Sequence, residues 1–87
     1  MDTKNPIKRI RDERDISQQE LAILADVAIN TVRNAEKGLT AELNEQILES
    51  IEQLGYEREE IQEEYETWRV KLKEDIIKRK GKNREMK

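Results

Sequence analysis

The 87 residues leave room for one domain with a small core, since a chain this short buries only about 60 to 65% of the surface it exposes when unfolded. Charged residues make up 43% of the chain and apolar residues 34%, with a net charge of −3, so folding depends on whether the apolar residues recur periodically. Cysteine and histidine are both absent, which removes disulfides, thiolate metal sites and the commonest general base, so neither an enzyme nor a bound cofactor or metal is expected.

Pro6 suits a first helical position, and Ile7 and Ile10 share a face of a helix expected to run to about Arg14. Ser17-Gln18-Gln19-Glu20 fits a capping box and opens a second helix, which carries Leu21, Ala22, Leu24 and Ala25 and should stop near Asp26. Val32 and Ala35 define a third helix ending at Gly38, a typical residue just past a helix C-terminus. Thr40 can cap a fourth, whose Leu43, Ile47, Ile51 and Leu54 recur at helical spacing until Gly55. Beyond it the spacing predicts one long amphipathic helix over residues 57–80, with a single stripe of Ile61, Tyr65, Trp68, Leu72 and Ile76. The expected organisation is therefore all-α: a four-helix unit over residues 1–55, a long C-terminal helix for packing or dimerisation over 56–80, and a flexible basic tail over 81–87.

Charge is segregated along the chain. Residues 1–40 balance seven Lys/Arg with seven Asp/Glu, residues 41–66 carry one against ten, and residues 67–87 carry nine against three. A DNA contact, if there is one, must come from a locally arranged surface or from the basic end rather than from bulk attraction. The first residues lack the apolar stretch of a signal peptide, and no run approaches the roughly 18 apolar residues of a membrane span. A cytoplasmic protein with no membrane partner is the expectation.

Two short helices joined by a turn have the geometry that places a recognition helix in the major groove. The string Ser17-Gln18-Gln19-Glu20-Leu21-Ala22, followed by Ala25, Val27, Thr31, Val32, Glu36 and Gly38, resembles the helix-turn-helix signature of the lambda-repressor-like family, also called Cro/CI or XRE. The likeness extends from about Ile7 to Gly55 and implies a four-helix lambda-repressor-like domain whose third helix reads DNA.

By that resemblance Ala28, Ile29, Asn30, Arg33 and Asn34 point at bases. Their chemistry suits base contact, because an arginine can donate twice to guanine O6 and N7, an asparagine can pair with adenine N6 and N7, and an isoleucine can touch a thymine methyl. Gln18 resembles the family's phosphate anchor at a helix N-terminus, and Lys37 is a second phosphate candidate. Arg11 and Glu36 occupy positions at which the family ties its reading helix to the scaffold with an ion pair. Three departures accompany the match. Ala28 replaces the usual Ser or Thr cap, at a cost of about 1 kcal/mol. Asp26 stands where a glycine often supplies a left-handed turn. Ile23, Leu24 and Ile29 are apolar at usually polar places, which suggests a surface that the long helix covers.

The function expected from these residues is that of a sequence-specific transcriptional regulator, a bacterial, phage or mobile-element repressor. Its partner would be double-stranded DNA, bound as a homodimer because two-fold proteins read two half-sites. The alternative is an adaptor or assembly protein, in DNA packaging or replication, that keeps the fold but engages a protein partner through its C-terminal helix. The stripe on that helix serves either as an inter-subunit seam or as packing within one chain.

Overall fold

The computed structural model describes the backbone of residues 4–85 and the side chains of residues 4–81. Five helices follow in order: α1 (Pro6–Arg14), α2 (Gln18–Ala25), α3 (Ile29–Lys37), α4 (Glu45–Gln53) and α5 (Arg58–Glu85). Local chemistry sets most boundaries. The hydroxyl of Ser17 accepts from the Glu20 amide at 3.0 Å while the Glu20 carboxylate accepts from the Ser17 amide at 2.9 Å, so both ends of the box satisfy donors that the helix start leaves open. Asp15 and Asp26 close α1 and α2 in the left-handed region, at φ 57° and 59°. Aspartate is one of the few non-glycine residues that visits this region, and Gly38 closes α3 in the same way at φ 78°.

Asn5, just before Pro6, starts α1 and does more than cap it. Its Oδ1 accepts from the amides of Ile7 and Lys8 at 2.9 and 3.1 Å, and its Nδ2 donates to the carbonyl of Ala35 at 3.1 Å. A buried asparagine thus fastens the start of α1 to the end of α3. The periodic apolar residues Ile7, Ile10, Leu21, Val32, Ile47 and Ile51 are fully buried together, each stabilising by about 1.5 to 3 kcal/mol relative to exposure. α2 packs on α3 and α4, and α5 packs on α1 and α4.

Four boundaries or contacts differ from expectation. Asn44, not Thr40, caps α4, its Oδ1 accepting from the amides of Gln46 and Ile47. Thr40 lies in the preceding loop, where its carbonyl accepts from the Tyr65 hydroxyl at 2.7 Å, and Leu43 plugs the core from that loop. α5 runs to Glu85, so residues 81–85 of the expected tail are helical; residues 86 and 87 lie outside the described residues. Gly81 is tolerated because one glycine costs a helix about 1 kcal/mol and the neighbouring Lys, Arg and Glu favour it. Finally, α5 does not cover the extra apolar surface of α2: Ile23 and Leu24 remain 72% and 43% exposed.

The first half of the α5 stripe is core within the same chain. Ile61 and Tyr65 are buried, and Trp68 tilts against Tyr65 with ring centroids 5.7 Å apart. Trp68 and Leu72 then close over Gly38 so tightly that a Cβ there would lie 2.8 Å from atoms of both. The same glycine therefore meets two demands, a positive φ and a close approach. Ile76, one turn further, is exposed.

At the opposite end of the domain, the Tyr56 hydroxyl donates to Glu13 at 2.7 Å and Arg14 stacks over the Tyr56 ring at 5.0 Å. The Tyr56 bond, reinforced by Arg9, holds the exposed Glu13 carboxyl below its ordinary range. A depressed carboxylate stabilises the fold above its unfolded pKa and loses that contribution as pH falls through the folded one. Tyr56→Phe should therefore move the Glu13 titration upward in an NMR pH series. An unchanged titration would assign the shift to the arginines alone.

Candidate nucleic-acid interface

Burial of Val32 and Ala35 fixes the rotation of α3 and turns the opposite side outward. Asn30, Arg33 and Lys37 follow at intervals of three and four, which puts them on one helical face, and all three are exposed, as is Ala28 at the helix start. Asn34 is half-buried beside them. Ile29 is half-buried and packs against the core, so it braces the turn between α2 and α3 and is poorly placed to seek a thymine methyl. Among the described residues no carboxylate pairs with Arg33 or Lys37. No side chain caps α3 at Ala28, which leaves its first amides to solvent.

The inner edge of α3 is held by a hub centred on Glu36. Arg11 Nε donates to its Oε2 at 2.6 Å and Arg11 Nη2 to its Oε1 at 3.1 Å. This is the two-pronged geometry that makes arginine–carboxylate pairs strong. Arg11 Nη1 also donates to the carbonyl of Ile16 at 3.1 Å, in the link between α1 and α2. The two side chains are only 14% and 9% exposed, and Glu36 raises the pKa of the guanidinium above its ordinary value, against a smaller opposing contribution from burial. One pair thus ties α1, the α1–α2 link and the end of α3.

Gln18 joins the hub, its Nε2 donating to Glu36 Oε1 at 2.9 Å. Its donor is therefore turned inward in the unbound chain, and a phosphate contact by this group would come at the expense of that bond. The amides of Gln18 and Gln19 at the start of α2 are the remaining donors at this position.

The same end of α3 is also held by α5. Arg69 Nε donates to the carbonyl of Gly38 at 3.1 Å beneath the Trp68–Leu72 cover. Sequence reasoning missed Asn5, Arg69 and the inward role of Gln18. Of these, only Asn5 had a readable signal, an asparagine immediately before a proline that opens a helix.

Among the described residues no cluster of three or more acidic, histidine or cysteine side chains is arranged to hold a metal ion, and no helix is long and apolar enough to cross a membrane. A family model described as helix-turn-helix matches residues 7–61, more than half of the chain. No curated protein and no solved structure matches it.

Proposed function

The chain belongs to the Cro/CI-type helix-turn-helix family, whose members are regulatory rather than catalytic, and from that membership we propose that it is a sequence-specific transcriptional repressor of a bacterium, phage or mobile element. In this reading α3 enters the major groove, Arg33 reads a guanine, Asn30 or Asn34 reads an adenine, Lys37 and the start of α2 hold phosphates, and two copies occupy two half-sites of an operator. The observation that supports it best is the outward face of Asn30, Arg33 and Lys37, left without acidic partners among the described residues on a helix whose C-terminal end is tied to α1, α2 and α5. A helix so held presents its side chains in one geometry, and selective base contact requires that.

Footprinting on DNA flanking the protein's own gene tests the reading. Arg33→Ala should cost about 1 to 3 kcal/mol at one base position and relax preference there, while Lys37→Ala should weaken all sites alike and reduce the salt slope by about one. Equal, sequence-independent losses for both variants would remove Arg33 from base reading. The exposed pair Ile23 and Leu24 favours a second reading, an adaptor or assembly protein that keeps the fold and engages a protein partner. Retained folding with no footprint on any flanking sequence would move the balance to it.

A further inference from the structure

α5 has two faces, and the domain uses only one of them. Ile61 and Tyr65 are buried, and Trp68 and Leu72 end that contact at Gly38. Val70 and Ile77, seven residues apart and so on one face, point away from it and are 52% and 66% exposed. At about 1.5 Å per residue the 28-residue helix spans about 42 Å, and the molecule is 50 Å long but only 24 by 21 Å across. The distal half of the helix therefore projects beyond the bundle.

Charge divides along the same helix. Residues 57–66 contain six glutamates and one arginine; residues 69–80 contain six Lys/Arg and two acids. The outward face follows this division. Glu59, Glu63 and Glu66 precede Val70, and Lys73, Ile77 and Lys80 follow it, at alternating intervals of four and three, the spacing of a two-helix seam. All seven are exposed.

We propose that this outward face pairs with the same face of a second copy, antiparallel, about a two-fold axis near residues 71 and 72. The proposal rests on the regulator reading, for which it supplies the dimer. Parallel pairing would lay glutamate along glutamate and lysine along lysine, whereas the antiparallel arrangement lays the acidic half of each helix along the basic half of the other. With Val70 opposite Lys73 of the second copy, Glu66 falls opposite Ile77 and Glu63 opposite Lys80. The two-fold repeats each pairing. Lysine stems can lie over Val70 and Ile77 while their ammonium groups reach the glutamates. A DNA backbone would engage the lysines only, leaving the two aliphatic residues uncovered and meeting repulsion from Glu59, Glu63 and Glu66 on the same face. A second copy satisfies all three features.

The test is sedimentation of the full chain without DNA, at low and high salt. The parent should form dimers that weaken with salt. Lys80→Glu should weaken them about tenfold, because two attractive pairs become repulsive, and adding Glu63→Lys should restore most of the loss. Orientation is read by mixing Glu63→Cys and Lys80→Cys chains: antiparallel pairing gives the mixed disulfide in preference to either homodimer. A parent that stays monomeric at high micromolar concentration overturns the proposal, as does a double variant no better than the single or a predominance of like-with-like disulfides. Unaltered assembly with weaker, less salt-dependent DNA binding by Lys80→Glu would make DNA the occupant of this face, and also overturns it. The regulator reading fails separately: dimers without any footprint remove it and leave the pairing, while half-site binding by a monomer does the reverse.

Discussion

Tyr65→Ala should lower stability by about 4 kcal/mol, near the upper range for truncating a large buried side chain. The residue is fully buried, and its hydroxyl bonds both the carbonyl and the side-chain hydroxyl of Thr40. Its loss removes the floor on which Trp68 stands and so loosens the cover over Gly38. A small domain of this kind has only about 5 kcal/mol or little more to lose, so the variant should be largely unfolded near 37 °C. Tyr65→Phe keeps the ring and should cost about 1 kcal/mol, since the exposed Thr40 can turn to water. Thermal unfolding followed by circular dichroism separates the two. A loss below 1 kcal/mol for the alanine variant would mean that α5 is an appendage rather than part of the core, even though Tyr65 is fully buried.

The difference between what was legible and what was not follows from the range of each interaction. The Ser17–Glu20 box and the left-handed closures at Gly38 and Gly55 depend on neighbours within a few residues, and their positions in the chain state them. The α5 stripe was legible as a stripe for the same reason, because periodicity is local. What it would pack on was not. The contact of Trp68 and Leu72 with Gly38 joins residues some thirty positions apart, and nothing in either segment names the other. Thr40 and Asn44 are both competent caps; the choice fell to Asn44 because Leu43 is drawn into the core and Thr40 is taken by Tyr65. Gln18 shows the same limit at the candidate site. A glutamine at a helix start suits a phosphate, but the nearby Glu36 offers a charged acceptor that only the fold brings within reach.

That hub also sets the remaining large effect. Glu36→Ala should lower stability by about 3 kcal/mol, because it strands a mostly buried guanidinium that keeps one bond, to Ile16, and loses two. Arg11→Ala should cost a similar amount for the reciprocal reason. Replacing both by methionine should cost clearly less than the sum of the two alanine variants, since no unpaired charge is then left inside. Gln18→Ala should cost about 1 kcal/mol, the value of a single bond to a charged group at a partly solvated edge. These four variants separate the charge from the scaffold: if Glu36→Ala and Gln18→Ala cost the same, the ion pair is a solvated surface contact and α3 is held by its other ties. Those ties are Asn5 on the Ala35 carbonyl and Arg69 on Gly38, and both grip the end of α3. The Glu36 hub lies at that same end and joins α3 to both α1 and α2 through polar side chains. Loss of the hub should therefore loosen α3 relative to α1 and α2 and shift the outward face that carries Asn30 and Arg33. At temperatures where Glu36→Ala is still folded, binding to the preferred site should fall while binding to unrelated DNA is kept. A parallel fall in both would mean that the hub acts on folding alone.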